Sequence, residues 1–281
     1  MTGADIQMSP LLAGDLFQAK GLSDALGWPY RLEDWTFAHG LGVGLGLRHE
    51  NRLIGTAMRW NYGSRFATVG MIIVDAAYRG LRLGSRLVDG LLEGAGERSV
   101  ILNATLDGLE LYRKRGFRSF DVTCQHQGIA KSPPAPDPAF PVERANEADW
   151  ANLIELDEAA SGMPRGALLT ALADCGVASV LRGGDGMAVG YAVCREFGRG
   201  HVIGPVVAPG AAEAAALIAH AMSGLTGRFV RVNTSEKSGI GKWLDEQGLV
   251  LVGTEEAMVR GSLPETSSQA RIFALCSNSL G

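Results

Sequence analysis

The chain has 281 residues, 46% of them hydrophobic, and a formal net charge of −4. It is longer than one ordinary domain, it can form a core without cross-links, and its acidic balance argues against a nucleic-acid-binding surface. The four cysteines show no C-x-x-C spacing and the five histidines no metal-binding pattern. We therefore expect a cytoplasmic protein with no bound metal and no nucleic-acid partner.

The first 74 residues predict a series of short helices and strands. Apolar residues recur at helical spacing or alternate, and Glu50-Asn51 has the composition of a hairpin turn. The predicted elements are a strand near 6–8, helices over 12–26 and 32–38, a hairpin of strands 42–48 and 53–60, and a strand over 67–74. This order is typical of an α/β or α+β fold.

The segment from Gly40 to Gly46 contains four glycines at alternate positions and suggests a dinucleotide-binding G-x-G-x-x-G motif. That motif fails here, because Leu45, Leu47 or His49 occupies the position of the third glycine. We interpret the segment as a glycine-rich approach to a strand.

Residues 69–91, VGMIIVDAAYRGLRLGSRLVDGL, combine an apolar strand, a basic glycine-containing turn and an amphipathic helix that starts near Gly84. The first turn of a helix offers unpaired N–H groups and a positive dipole end, so this arrangement predicts an anion site. A P-loop is excluded, because Gly84 is followed by Ser85-Arg86 rather than by Lys and Ser or Thr.

The pattern Val-Asp-x-x-Tyr-Arg-Gly-x-x-x-Gly resembles the acyl-CoA pyrophosphate loop of the GNAT superfamily of N-acyltransferases. That loop usually reads Gln/Arg-x-x-Gly-x-Gly/Ala, and Arg79 and Gly84 match its two ends. Arg82 departs from it by occupying the central glycine position. A non-glycine residue can still donate its N–H there if its φ is negative, and its guanidinium could reach a phosphate.

The resemblance implies that the end of the strand and the loop bind acetyl-CoA. The strand would contact the pantetheine arm and donate an N–H to the developing oxyanion, and the loop amides would hold the pyrophosphate. The implied cofactor-binding residues are Ile72, Ile73, Val74, Arg79, Gly80, Leu81, Arg82, Leu83, Gly84 and Ser85.

A second signature follows a predicted strand over 99–104. The segment LYRKRGF, residues 111–117, ends a predicted helix over 107–114 and is similar to the family motif that carries a tyrosine near the thioester sulfur. Tyr112 is therefore the implied catalytic residue, although a helical tyrosine more commonly packs in the core. The implied reaction is direct attack of a primary amine on the acetyl carbonyl through a tetrahedral intermediate.

The residue that removes the amine proton is not evident, because residues 67–74 contain no carboxylate where several relatives place a glutamate. Residues around 28–39 usually form the substrate wall in this family. The candidates there are Trp28, Tyr30, Glu33, Asp34 and His39. Each also has a structural interpretation, since acidic residues favour a helix start, aromatic rings anchor cores and a histidine can cap a helix end.

Five of the 11 prolines lie in residues 131–141, which predicts a semi-rigid linker between a catalytic domain of residues 1–130 and a second domain of residues 142–281. The second half repeats the element order, with helices near 147–159, 165–173 and 211–222, strands over 178–181, 187–197, 201–207 and 229–232, and an edge strand over 271–275. Its Ala208-Pro209-Gly210 turn lacks the arginine and one N–H. We expect a degenerate GNAT-like copy that binds no second CoA, each domain having a mixed, mostly antiparallel sheet flanked by helices.

These observations favour an enzyme that moves an acetyl group from acetyl-CoA to a small-molecule amine. A noncatalytic acyl-CoA-binding or sensing protein remains an alternative, as does a peptide or protein amine as acceptor. Residues 1–20 show no charged leader with an apolar core, and no apolar run approaches about 20 residues, so we expect no membrane partner. We expect a monomer or a homodimer.

Overall fold

The computed structural model describes residues 6–135 and 137–281, and each half of the chain has the same order of elements. The first half contains β1 (Gln7–Pro10), α1 (Leu16–Ala25), α2 (Leu32–Leu41), β2 (Val43–His49), β3 (Arg52–Tyr62), β4 (Phe66–Val74), α3 (Leu83–Ala95), β5 (Ser99–Ala104), α4 (Leu109–Arg113) and β6 (Arg118–Ile129). The second half contains β7 (Val142–Arg144), α5 (Asp149–Ser161), α6 (Gly166–Cys175), β8 (Gly176–Arg182), β9 (Ala188–Phe197), β10 (Gly200–Ala208), α7 (Ala211–Met222), β11 (Phe229–Ser235), α8 (Gly241–Glu246), β12 (Val250–Arg260) and β13 (Arg271–Ala274). The predicted repetition of the element order is confirmed.

The described strands form one sheet of 13 strands in the order β1-β2-β3-β4-β5-β12-β6-β11-β13-β10-β9-β8-β7. Its pairings are antiparallel except for β4 with β5 and β10 with β11. Helices cover both faces. The predicted fold class, an α/β (α+β) arrangement with mixed, mostly antiparallel sheets flanked by helices, is confirmed.

The two halves exchange their last long strands. β12, from the second half, lies between β5 and β6 of the first half, and β6 lies between β12 and β11. Side chains from both halves therefore meet on the central strands. The predicted domain limits, with the linker at 131–141, stay a prediction, and Pro136 of that linker lies outside the described residues.

The helix after the basic turn packs its apolar stripe onto the sheet, as its 3.6-residue periodicity predicts. Leu87, Val88 and Leu91 of α3 are at most 1% exposed and contact residues of β3 and β4. This packing fixes the start of α3 at the end of β4.

The glycine-rich segment serves packing. α2 continues to Leu41, and a Cβ atom on Gly42 would lie 2.6 Å from the Trp60 ring, while one on Gly44 would lie 2.7 Å from Leu11. The predicted hairpin turn is confirmed, with Glu50 and Asn51 at φ values of 49° and 65°.

Two features of the central strands differ from the sequence-based expectations. The segment predicted as an edge strand, β13, lies inside the sheet between β10 and β11. The strands β6 and β12 were not predicted, because polar residues at alternate positions dilute their apolar pattern.

In the described part of the chain, no helix has the length and apolar character needed to cross a bilayer.

Candidate active site

The turn between β4 and α3 presents a row of free backbone donors. Within the described chain, the amides of residues 80–85 donate to no protein acceptor; the flanking amides of Arg79 and Arg86 bond to Ala76 O and Arg82 O. Arg79 and Arg82 are exposed and make no ion pair with a described residue. The turn can therefore accept an anion through its main chain and its guanidinium groups.

Arg82 has the conformation of the glycine that the family places there. Its φ is 57° and its ψ is 24°, so the negative φ considered from the sequence does not occur. The left-handed conformation costs a residue other than glycine about 1–2 kcal/mol of conformational free energy. It also turns successive N–H groups toward one side, as in an anion-binding nest. Gly80, with a φ of 83°, contributes to the same curvature.

The strand before the turn has a free edge. β4 pairs with β5 only at Phe66, Ala67 and Thr68, and beyond these residues the two strands diverge. Met71 has a φ of 51° at an irregularity opposite residues 56–58, where Thr56 Oγ1 donates to Met71 O over 2.9 Å. The backbone from Val69 to Val74 therefore lines a cleft instead of pairing with β5.

This cleft opens into a cavity of about 570 Å³ whose lining comes from both halves of the chain. Of the predicted cofactor-binding residues, Ile72, Ile73, Val74, Arg79 and Gly84 line it directly. The others, Gly80, Leu81, Arg82, Leu83 and Ser85, lie on the same turn and the first residues of α3. The structure thus brings the predicted loop, strand end and tyrosine together.

Tyr112 lies in the cavity wall and is 8% exposed. Its ring meets Phe117 edge-on with centroids 5.9 Å apart, and within the described chain its hydroxyl has no hydrogen-bond partner. Burial, assisted by Glu255, raises the pKa of Tyr112 to about 12. The ring therefore packs as a core residue would, while the hydroxyl stays free to donate into the cavity.

Glu255 is the carboxylate that the sequence did not reveal. It lies on β12 opposite Thr123 of β6 and lines the cavity together with Tyr112. Burial raises the pKa of the Glu255 carboxyl above its ordinary value, and nearby Asn278 and Arg231 oppose that rise. Such a carboxylate can accept a proton nearer to neutral pH than an exposed one can.

The chain after β13 forms one wall of the cleft between β4 and β5. Asn103 Nδ2 donates to Asn278 O over 2.8 Å, and Tyr62 Oη donates to Leu280 O over 2.7 Å. A Cβ atom on Gly70 would collide with Ser279, so glycine permits this close approach. Asn278 and Ser279 consequently form one wall of the cavity.

The five predicted substrate-wall residues separate into two groups. Trp28 and Tyr30 line the cavity, and Tyr30 also packs edge-on against Phe197 with ring centroids 5.3 Å apart. Glu33 is exposed on α2, and His39 Nε2 lies 3.0 Å from Leu11 O. Neither Glu33, Asp34 nor His39 lines the cavity.

Asp34 instead joins the two halves. It accepts hydrogen bonds from the Arg31 backbone N at 2.9 Å, the Arg31 side chain and Gly198 N, and it lies 3.6 Å from Arg195 Nη1. Its side chain is 1% exposed. These contacts hold residues 28–31 at the cavity.

Replacing Asp34 with asparagine is expected to lower the free energy of unfolding by about 3 kcal/mol, because the change leaves the buried Arg195 guanidinium without its carboxylate. Urea denaturation followed by circular dichroism measures the effect. The neighbouring exposed Glu33→Gln serves as control and should change stability by less than about 0.5 kcal/mol. Equal stabilities of the two variants would contradict the role of Asp34 in joining the halves.

Among its described residues, the second half has no equivalent free cleft. β10 and β11 pair in parallel only at the start of β10, at His201 and Val202, just as β4 and β5 pair only at their start. Beyond these residues, β13 pairs with both β10 and β11. A Cβ atom on Gly204 would collide with Leu275 O. The space that stays open in the first half is therefore filled by the chain itself.

Sequence reasoning missed Glu255 and Arg231, two of the three charged residues that the second half adds to the cavity, the third being Arg199. Each occurs in a strand without a motif, and each lies more than 110 residues from Tyr112 along the chain. The only feature of the sequence that could indicate these two residues is a charged side chain within a strand. That feature identifies a site only when the pairing of the exchanged strands is known.

Comparisons with known proteins agree with this architecture. The family model described as Acetyltransferase (GNAT) family matches residues 14–117, and that described as Acetyltransferase (GNAT) domain matches residues 153–274. The uncharacterized N-acetyltransferase YitH of Bacillus subtilis strain 168 is 29% identical over 186 residues, which are 66% of this chain and 66% of that protein.

Solved structures show the same fold at low sequence identity. A proposed acetyltransferase from Pyrococcus horikoshii has a TM-score of 0.81 at 18% identity, covering 99% of this chain and 96% of its own. A GCN5-related N-acetyltransferase from Sphaerobacter thermophilus has a TM-score of 0.69 at 16% identity, covering 96% and 99%. A tandem GNAT protein from the clavulanic acid biosynthesis pathway has a TM-score of 0.64 at 14% identity, covering 94% and 100%. The chain belongs to the GNAT acetyltransferase family, with one domain of that family in each half.

Proposed function

We propose that the chain transfers an acetyl group from acetyl-CoA to the primary amine of a small molecule. The observation that carries this proposal is the convergence on one cavity of the unbonded amides, the free edge of β4, Tyr112 and Glu255. Acetyl-CoA supplies the activated acyl group when it is bound.

The residues present fit this cosubstrate. The six amides from Gly80 to Ser85, which have no acceptor among the described residues, match the acceptor oxygens of a diphosphate, and exposed Arg79 and Arg82 add positive charge beside them. The unpaired edge of β4 offers alternating N–H and C=O groups to an extended amide-containing arm. An N–H on this edge also stabilises negative charge on an acyl oxygen.

Glu255 is placed to remove the proton from the amine. A free alkylamine has a pKa near 10 and is protonated at neutral pH, so it must lose a proton before it attacks. The raised pKa of the Glu255 carboxyl makes it a stronger proton acceptor than an exposed glutamate. Trp28, Tyr30 and Ser279 line the same cavity as this carboxylate.

Tyr112 acts as a hydrogen-bond donor rather than as a full acid. With a pKa of about 12, complete proton transfer from Tyr112 to a thiolate with a pKa near 8.5 is uphill by about 5 kcal/mol. A hydrogen bond from its hydroxyl still stabilises charge that develops on a departing sulfur.

The test is to mix the protein with acetyl-CoA and pooled small amines and to measure released thiol, with CoA binding followed by calorimetry. Amine-dependent thiol and one CoA per chain are expected. Binding of CoA without amine-dependent thiol would favour the noncatalytic alternative. Faster turnover with an N-terminal peptide amine than with any small amine would favour the peptide alternative.

Tyr112→Phe is expected to lower kcat about 10-fold and to leave the Kd for CoA unchanged, because only the hydroxyl that faces the sulfur is lost. Because the pKa of Tyr112 is about 12, the wild-type rate should show no loss from its ionisation below pH 10. Steady-state kinetics across this pH range, together with calorimetry, measure both effects. An unchanged kcat would contradict the role of the Tyr112 hydroxyl as a hydrogen-bond donor and leave Tyr112 with a packing role alone.

A further inference from the structure

The cavity extends beyond the cleft onto a polar face of the central strands. Gln125 and Gln127 of β6 lie two residues apart and line the cavity, so they share one face of the strand. In the antiparallel registers, Gln127 pairs with Arg231 of β11, and Thr123 pairs with Glu255 of β12. Arg231 and Glu255 therefore stand on the same face of the sheet on opposite sides of β6.

Arg231 is a half-buried cation in the cavity wall, and its Nη1–Nη2 edge has no partner among the described residues. Its Nε donates to Asn233 Oδ1 over 2.8 Å, and its guanidinium lies 5.6 Å from the centre of the Phe197 ring. Burial lowers the pKa of the Arg231 guanidinium, and Tyr30 and Glu255 oppose that change. The Nη1 and Nη2 groups make no hydrogen bond to a described residue.

The buried arginines Arg165 and Arg195 each have a carboxylate partner, which Arg231 lacks among the described residues. Arg165 donates to Asp157 through Nε at 2.9 Å and Nη2 at 2.6 Å, and Arg195 lies 3.6 Å from Asp34. Among the described residues, no carboxylate comes within 4.0 Å of Arg231 in this way. A half-buried cation has lost part of its hydration, so an anion from a ligand in the cavity would stabilise it.

Arg231 and Glu255 are separated by enough space to bind opposite ends of one small molecule. Their strands are two spacings apart, about 10 Å across the sheet, and their partners on β6 differ by four positions. Glu255 lies on the side of Tyr112 and the cleft, whereas Arg231 lies toward Tyr30 and Phe197. The positive end of a ligand would thus face the reacting acyl group.

We infer that the acceptor is a small amino carboxylate, whose carboxylate binds the Nη1–Nη2 edge of Arg231 while its amine lies at Glu255. This inference rests on the proposed function. A planar carboxylate matches the paired donors of a guanidinium, and the Nε contact with Asn233 fixes the plane of the fork. The chain length between amine and carboxylate sets which amino acid spans the two residues.

The test compares amines that differ only in the charge at one end. Glycine, β-alanine, 4-aminobutyrate and 5-aminopentanoate are assayed by thiol release beside their carboxamides, with 2-aminoethyl phosphate as a tetrahedral anion. At least one acid is expected to exceed its amide by 10-fold or more in kcat/KM. Amides that equal the acids throughout, or a phosphate that exceeds every carboxylate, would overturn the inference.

Arg231→Gln should abolish the preference for the acid, so that kcat/KM for each acid no longer exceeds that for its amide, and it should leave the Kd for CoA unchanged. The exposed Arg228→Gln removes the same charge next to β11 and should retain the preference. If Arg231→Gln does not fold, Arg231→Lys should show a reduced preference, because an ammonium group lacks the fork. A preference that persists in the folded glutamine or lysine variant overturns the assignment.

The proposed function and this inference fail in different ways. Absence of thiol release with every acid and every amide would reject the transfer activity itself. Thiol release without discrimination between acid and amide would reject only the role of Arg231.

Discussion

Glu255→Gln is expected to lower kcat by at least about 100-fold while leaving the Kd for CoA unchanged. The substitution preserves the shape of the side chain but removes the group that accepts the amine proton, and general base catalysis typically contributes 100- to 10,000-fold. Steady-state thiol release and calorimetry measure the two quantities.

Glu256→Gln is the matched control, because Glu256 is adjacent on β12 and does not line the cavity. It should retain the wild-type kcat. Equal losses in the two variants would show a general effect on β12 and contradict the role of Glu255.

The pH dependence gives a second measure of Glu255. The carboxylate form is active, so activity should fall as the pH drops through the Glu255 pKa. Because burial raises that pKa, the acid limb should lie above pH 4.5, the ordinary value of the carboxyl. Glu255→Gln should lose this limb, and an unchanged limb in that variant would assign the titration to another group.

Ser85→Asp is expected to affect stability and CoA binding in opposite directions. Ser85 lies in the first turn of α3, where a carboxylate interacts favourably with the helix dipole and should raise Tm by about 1–2 °C. The same carboxylate would repel a diphosphate held by the amides of residues 80–85, which should weaken CoA binding on the order of 100-fold. Thermal unfolding without ligand and calorimetry with CoA measure the two effects.

Ser85→Asn is the matched control, because the asparagine side chain has the shape of aspartate but no charge. It keeps the backbone amide, so this variant should bind CoA with an affinity near that of the wild type. The difference between the aspartate and asparagine variants should shrink at high ionic strength. If the aspartate variant binds CoA as tightly as the asparagine variant, the diphosphate does not lie at this turn.

Local patterns in the sequence were sufficient for the cofactor side of the site. A buried strand, a glycine at positive φ and an amphipathic helix each depend on residues close together in the chain, and β4, Gly80 and α3 occur where their patterns predict them. Even here the conformation of Arg82 was not predictable, because a left-handed arginine is stabilised only by the packing of the strand and helix around it.

The acceptor side was much less predictable. The strands β6 and β12 carry Gln125, Gln127 and Glu255, which line the cavity. These polar residues interrupt the alternating apolar pattern by which a strand is predicted from sequence. The segment of β13 is apolar enough to suggest a strand, but nothing in its composition indicates an interior position. Its neighbours β10 and β11 precede it by more than 35 residues, and their divergence creates the place that it fills.

By itself, the sequence determined the repeated element order, the turn with free amides and the position of Tyr112, because these features arise from hydrogen bonding and periodicity over at most about 20 neighbouring residues. The tertiary structure alone decided which half keeps an open cleft, and it alone brought Glu255 and Arg231 to the acceptor side. Those outcomes depend on the exchange of β6 and β12 and on the insertion of β13, which are pairings between distant segments that no local pattern encodes.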